Sequence, residues 1–380
     1  MGTSAALLVL LGAACAVAGV ALARPLAERC GLTDRPDGCR KRQAKPVALC
    51  GGLGVFAATL LGLVAVAALR PEVADALIAR PAQALALLAG AAVIATVGLL
   101  DDFVPLRPRY KLVGQAAASL VVIVPGGCVI ERLALLDVEF ELGLLAVPVT
   151  LLWFLAAINA LNLLDGMDGL LGVVGVIVLG SLAALAFGAG NAFAGFVALA
   201  SAGALLGFLA FNLPPATAYL GDCGSLLVGL VVAALAVEVG RRGDTVALAG
   251  PAALLTLPIL DTAAAIVRRK LTGRGVAEPD CDHFHHGLLR RYAGPWPVLG
   301  AATLLGSLGA AGALAGGYSG DDRYPFAAAA VVVAVLAASG WFGGHEVRLV
   351  AAKLRGLGRP LPAIVVPKPP VRGRRGSARR

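Results

Sequence analysis

Apolar runs long enough to cross a bilayer recur along nearly all of this 380-residue chain, and that repetition limits its fold more than any single motif does. A helix rises about 1.5 Å per residue, so runs of roughly 17 to 20 apolar residues span about 30 Å of hydrocarbon. Such runs lie near residues 5–22, 51–69, 84–100, 112–125, 142–158, 169–187, 192–211, 224–239, 246–265, 296–316 and 325–342, about eleven in all. Composition agrees: 59% of residues are hydrophobic and 14% charged, where a soluble domain is nearer a quarter charged. The expectation is an all-α, polytopic membrane protein with about 10–11 transmembrane helices, not a soluble domain carrying an anchor. Ala21-Leu22-Ala23 looks superficially like a signal-peptidase site. No Lys or Arg precedes that span and an Arg-rich segment follows it, so the first helix is expected to remain uncleaved.

The basic residues then predict an orientation. Of the 32 Lys and Arg, 26 fall in the odd-numbered loops and the C-terminal tail. The opposite side holds Arg70, Arg80, Arg132, Arg241, Arg242 and Arg323. Basic loops stay in the cytoplasm, which places the N-terminus outside and the odd loops inside. Residues 1–343 form the integral-membrane domain in this reading, and 344–380, rich in Arg, Pro and Gly, a basic disordered cytoplasmic tail able to touch anionic lipid. The net charge of +9 does not point to nucleic acid, because no folded basic domain carries it. Seven cysteines are scattered without a CxxC pair, which argues against a disulfide framework or a zinc site.

Polar residues concentrate in one stretch, Ala157 to Leu170, between two apolar segments. Asn159, Asn162, Asp165 and Asp168 recur at every third position, so on a helix they would lie along one drifting side. Polar groups in or beside a membrane span are costly and mark functional sites. Gly166 and Gly169 leave the backbone bare beside the acids, which suits close approach by a ligand or a helix end.

Four further constellations sit in odd loops. The first loop carries Arg40, Lys41, Arg42 and Lys45 ahead of Gly51-Gly52, read either as orientation and headgroup contact or as a phosphate site. The third carries Asp101-Asp102, Lys111 and Gln115. Adjacent carboxylates on a helix diverge by about 100°, which fits two separate tasks. In the seventh, Pro214-Pro215 hold the chain extended, Tyr219 offers a ring for stacking, and Asp222 stands between glycines ahead of the next helix. The ninth, near 266–295, holds Asp280, Asp282, His283, His285 and His286. No HExxH spacing supports zinc there, and donors to a pyrophosphate or sugar are the better reading. Carboxylates, phosphate-binding cations and an aromatic ring on one face suit Mg²⁺, which takes one or two carboxylates plus substrate phosphates.

In this order the motifs resemble those of the polyprenyl-phosphate N-acetylhexosamine-1-phosphate transferases, over residues 30 to 295. Asp101-Asp102, Leu106, Lys111 and Gln115 match DDxxxLxxxxKxxxQ; Asn159, Asn162, Asp165-Gly166 and Asp168-Gly169-Leu170 match NxxNxxDGxDGL; Asn212, Pro215-Ala216 and Gly221-Asp222-x-Gly224-Ser225-Leu226 match NxxPAxxxxGDxGSL. The resemblance implies attack by a polyprenyl phosphate on the β-phosphorus of a UDP-amino sugar, with release of UMP. It implies Asp222 and Asp101 as ligands of Mg²⁺ (or Mn²⁺ in its place), and Asp101, Asp102, Lys111, His283, His285 and His286 as the catalytic set. Arg40, Lys41, Asn159, Asn162, Asp165, Asp168, Asn212 and Tyr219 would contact substrate, Tyr219 by stacking on uracil. The family's dimeric members imply a homodimer, and the active site would face the cytoplasm.

Asp280-Cys281-Asp282-His283-Phe284-His285-His286 is closer to the DRxHLHHxLL of the GlcNAc-1-phosphate branch than to the three consecutive histidines of the phospho-MurNAc-pentapeptide translocases. UDP-GlcNAc is therefore the expected donor, for a first membrane step of cell-envelope glycan assembly. Cys281 replaces that branch's usual Arg, Gln43 a His and Ala48 a Pro, departures that bear on the sugar contacts. The rival from another class is a transporter using intramembrane acids. It would spread acids along a pathway, often within an internal repeat, whereas here they gather at one face and no clear repeat is visible.

Overall fold

The computed structural model describes residues 2–34, 46–136, 138–273, 275, 283–292 and 294–341. Arg40, Lys41, Asp280, Cys281, Asp282 and the 344–380 tail lie outside the described residues. The helices are α1 (Gly2–Cys30), α2 (Gly51–Leu69), α3 (Pro71–Ile78), α4 (Pro81–Phe103), α5 (Pro108–Ile123), α6 (Ala146–Leu164) and α7 (Leu170–Gly188). They continue as α8 (Ala192–Asn212), α9 (Gly221–Gly240), α10 (Ala249–Leu254), α11 (Thr256–Leu271), α12 (Phe284–Arg291), α13 (Trp296–Ser319) and α14 (Arg323–Ala338). Eight of them, α1, α2, α4, α6 with its leading 3₁₀ turn, α7, α8, α9 and α13, are long and apolar enough to cross a membrane. The protein is thus an all-α, multi-pass membrane protein.

The other expected spans are helices too, but shorter. α5 and α14 have 16 residues each. The run near 246–265 is broken into α10 and α11 at Leu255. Pro251 and Pro258 remove two backbone donors there, so the hydrogen-bond ladder cannot run through. Prolines also set the starts of α3, α4 and α5, at Pro71, Pro81 and Pro108, where a missing N–H costs nothing.

α9 is the axis of the bundle: 89% of its apolar window is buried, and α4, α6, α2 and α7 pack around it. Lipid offers no hydrophobic drive between helices, so close approach of backbones must supply the contact. On α8, a Cβ at Gly207 would stand 2.2 Å from the Ala13 carbonyl oxygen of α1. On α4, a Cβ at Gly98 would stand 2.4 Å from the Asp222 carbonyl oxygen.

Two small sheets, not foreseen in the sequence, tie loops together at opposite ends of the bundle. At one end β1 (Thr33–Asp34), β2 (Val47–Leu49) and β5 (Ala218–Tyr219) form the order β1-β2-β5. The parallel register Ala48↔Ala218 and Leu49↔Tyr219 fastens the first loop to the seventh. At the other end β3 (Arg132–Leu135), β4 (Val138–Glu141), β6 (Arg241–Arg242) and β7 (Thr245–Ala247) form the order β4-β3-β7-β6. Near that second sheet the buried Glu238 carboxylate takes Arg80 at 3.0 Å, from the start of α4.

Gly207→Val should lower stability in detergent by about 1–3 kcal/mol, the cost of overpacking a tight contact. Gly19→Ala, with nothing within 4 Å of the added Cβ, should leave it unchanged. Denaturant unfolding of the two variants checks the difference.

Candidate active site

The acidic end of α4 meets the start of α9. Asp102 Oδ1 accepts the backbone N–H of Asp222 at 2.8 Å, and Oδ2 accepts that of Cys223 at 3.1 Å. The carboxylate therefore caps the positive end of another helix, supplying acceptors for amides that have no partner within α9. Gly221 makes room for it. Its φ is +68°, and a Cβ there would meet Asp102 Oδ2 at 2.5 Å.

Asp101 turns the other way, as the divergence of adjacent helical residues requires. Its Oδ1 accepts the Leu106 N–H at 2.6 Å, closing the turn into α5. Its Oδ2 lies 3.0 Å from the Lys111 ammonium, which also lies 2.8 Å from Asp222 Oδ1. One cation thus bridges two carboxylates from α4 and α9.

The periodic polar residues divide between helix and loop. α6 ends at Leu164, so only Asn159 and Asn162 are helical. Asn159 exchanges hydrogen bonds with Gln115 of α5, at 2.8 and 3.3 Å. Asn162 donates to Asp222 Oδ1 at 2.6 Å and to Ser225 Oγ at 2.8 Å, both on α9. Asp165 and Asp168 follow in a loop that closes at Gly169, whose φ is +77°. Their continuation along one helical face does not hold, because the helix ends at Leu164, ahead of both acids.

In that loop Asp168 Oδ2 accepts the Ala216 N–H at 2.9 Å, and the carboxylate faces Tyr219. Burial, then the negative charge of Asp168, raises the Tyr219 phenol above its ordinary range. Asn212, only 2% exposed, accepts from Gly169 N–H at 3.1 Å and donates to the Ala218 carbonyl at 3.0 Å. Its amide is spent on two loop backbones, so it stands as a strut between them. The Asp165 carboxylate has no hydrogen-bond or ion-pair partner among the described residues, although its backbone N–H donates to the Asn162 carbonyl at 3.3 Å. Burial pushes its carboxyl up to about 8, with Asp222, Asp102 and Asp168 adding to the rise.

The histidines approach from the far side of this loop. His285 is 1% exposed, and its ring lies where a Cβ on Gly166 would meet Nε2 at 2.6 Å. Among the described residues neither ring nitrogen of His285 has a hydrogen-bond partner. Burial, then the neighbouring His286, pushes its pKa down to about 3, so the ring is neutral. His283 stacks parallel to it with centroids 5.9 Å apart, and His286 sits 4.2 Å from it.

The described candidates from α4, α5, α6 and the loops 165–169, 212–222 and 283–286 therefore converge at one end of the bundle. One residue there escaped the sequence reading. Asp261 of α11 is 2% exposed and bonds the ninth loop directly. Its signal was a lone acid inside the apolar run 246–265, which by the cost of burying charge marks a site.

Comparison with known proteins gives the family. The family model described as glycosyl transferase family 4 matches residues 84–240. A Bacillus subtilis protein named probable undecaprenyl-phosphate N-acetylglucosaminyl 1-phosphate transferase is 31% identical over 270 residues, covering 70% of this chain and 72% of the relative. The decaprenyl-phosphate N-acetylglucosaminephosphotransferase of Mycobacterium tuberculosis is 31% identical over 292 residues, 70% and 71% of the two chains. The Escherichia coli K12 undecaprenyl-phosphate alpha-N-acetylglucosaminyl 1-phosphate transferase is 30% identical over 300 residues, 76% and 78%. The chain belongs to this family of membrane-embedded glycosyl-1-phosphate transferases, on its N-acetylglucosamine side.

Asp102→Ala, which removes both acceptors at the start of α9, should cost about 1–2 kcal/mol of stability. Asp102→Asn keeps one acceptor and should cost less than half of that. Thermal unfolding in detergent separates the two.

Proposed function

We propose that the protein transfers N-acetylglucosamine 1-phosphate from UDP-N-acetylglucosamine to a polyprenyl phosphate at the cytoplasmic face of the membrane, as the first membrane step of a cell-envelope glycan. The observation that carries the reading is the Lys111 ammonium, 3.0 and 2.8 Å from Asp101 and Asp222. A diphosphate needs cationic and hydrogen-bonding partners, and its transfer needs positioning and charge neutralisation more than covalent help. The names of the relatives support the N-acetylglucosamine 1-phosphate group and the lipid. The 26 basic residues among 32 that fall in odd loops and tail support the cytoplasmic side.

The donor set also fits a divalent cation, though not a closed cage. Among the described residues no three His, Cys, Asp or Glu side chains form a metal-ligating group. Asp101 and Asp222 share the ammonium of Lys111, while the Asp165 carboxylate has Asp222, Asp102 and Asp168 as charged neighbours and no hydrogen-bond partner among the described residues. That excess of negative charge suits Mg²⁺ held by one or two carboxylates and completed by substrate phosphates. Asp222 and Asp101 would hold it. When bound, it would neutralise the diphosphate and polarise its oxygens.

The chain's own residues do the rest. Asp101 orients the lipid phosphate at the membrane boundary and accepts its proton. An oxygen of that phosphate forms the new bond to the β-phosphorus, the bond to the UMP oxygen breaks, and polyprenyl-diphosphate N-acetylglucosamine results. Lys111 moves from its carboxylates to phosphate oxygens as charge shifts. Asn162 holds Asp222 in place, and Tyr219, its hydroxyl turned to Asp168, offers a ring face to uracil. Arg40 and Lys41 add phosphate contacts from the first loop. Both Asp102 oxygens are occupied by α9 amides, which favours single in-line displacement over an aspartyl-phosphate at that residue.

Purified protein supplied with UDP-N-acetylglucosamine, polyprenyl phosphate and Mg²⁺ should release UMP, and EDTA should abolish the release. UDP-MurNAc-pentapeptide or UDP-GalNAc turning over faster would reassign the donor. Lys111→Ala and Asp222→Asn should each lose about 10²-fold or more in kcat, the scale of one preorganised electrostatic contact. Labelled UMP should not exchange into UDP-N-acetylglucosamine without polyprenyl phosphate. Exchange would establish the double displacement instead.

A further inference from the structure

Asp261 sits on α11, a helix of mostly apolar residues, and is 2% exposed. A carboxylate in such a place is costly unless its oxygens are taken up. Here Oδ1 accepts the Phe284 N–H at 2.8 Å, and Oδ2 lies 3.1 Å from His283 Nδ1. The first bond caps the start of α12. The second does something a cap does not need: it decides which imidazole nitrogen carries hydrogen.

We propose that Asp261 is a positioning residue for the transfer reaction, holding His283 in the tautomer that donates Nδ1–H to the carboxylate and offers Nε2 as an acceptor to a hydroxyl or N–H of the substrate sugar. The inference rests on the proposed function and deepens it. A histidine whose Nδ1–H is fixed by a carboxylate has a defined ring orientation and a more basic Nε2. That Nε2 accepts a hydrogen bond when the ring is neutral and donates one when it is protonated. Orientation passes onward by packing. The His283 ring is parallel to His285, with 2° between planes, and His285 rests on Gly166 in the loop that carries Asp165 and Asp168. Asp261, His283 and His285 thus form a row from the interior of α11 to the acidic loop.

Asparagine separates the two tasks. In Asp261→Asn the side-chain oxygen can still accept from Phe284 N–H, but the amide presents a donor to Nδ1 and forces the opposite tautomer. The cap survives and the ring changes. Histidine-labelled ¹⁵N spectra of the purified protein, with His283→Gln used to assign that ring among the chain's four histidines, should give a protonated Nδ1 in the parent and an unprotonated one in Asp261→Asn. In the UMP-release assay Asp261→Asn should lose about 10²-fold or more in kcat, the scale of a misplaced acid–base tautomer. Its KM for UDP-N-acetylglucosamine should stay within about threefold and its unfolding midpoint unchanged. Asp261→Glu, which keeps both acceptors, should recover part of the rate, and Asp261→Ala should lose stability as well.

An Asp261→Asn variant with full turnover, or a His283 tautomer that is the same in both proteins, would overturn the proposal. So would a loss of rate that tracks loss of stability across Asn, Glu and Ala. A parent protein that releases no UMP would defeat the proposed function instead, while the ¹⁵N spectra would still report whether Asp261 sets the ring.

Discussion

A carboxylate from one helix receiving the amides of another holds this molecule's chemistry in place. Asp102, at the end of α4, accepts from the first turn of α9. α9 is the most enclosed of the eight long apolar helices. A partly buried carboxyl group is held there because its oxygens meet a helix's positive end, and the helix end is stable because its amides are satisfied. Gly98 and Gly221 let the two helices come this close. Once α4 and α9 are locked together, Asp101, Asp222 and Lys111 must share a small volume. The short distances among them follow from that packing.

The same logic of mutual satisfaction runs outward. Asn159 with Gln115, and Asn162 with Asp222 and Ser225, join α6 to α5 and α9 by bonds that would be costly to leave unmade in an apolar surround. Asn212 and Asp168 then pin the loops that follow α6 and α8 to each other. Among the described residues the Asp165 carboxylate, set among carboxylate neighbours, and the His285 ring are exceptions without a hydrogen-bond partner. Exceptions of that kind are where a protein meets its ligand.

Much of the fold could be read from apolar runs, because a bilayer demands continuous helices of a set length. The run 51–69 coincides with α2, and 169–187 and 192–211 fall within a residue of α7 and α8. The span expected at 142–158 stopped short of Leu164 because Asn159 and Asn162 look like an exit from the membrane. Their partners lie on other helices and carry no local signature. The broken helix at Leu255 was written in Pro251 and Pro258, but the surrounding leucines and alanines outweighed them. The two sheets use strands of two to four residues, too short for any alternation to register. For the site, motif order brought the right loops together, whereas Asp261 was invisible as a partner until α11 and α12 were packed.

The central claim is that these loops form a pocket that takes a divalent cation only together with a diphosphate. Mn²⁺ in place of Mg²⁺ gives the most direct measurement, by electron-nuclear double resonance of the purified protein with and without UDP-N-acetylglucosamine. The account predicts weak Mn²⁺ binding by the protein alone, tight binding with the nucleotide sugar, and ³¹P coupling in the bound spectrum that Asp222→Asn abolishes. Tight Mn²⁺ binding without nucleotide, or a bound ion with no ³¹P coupling, would contradict it.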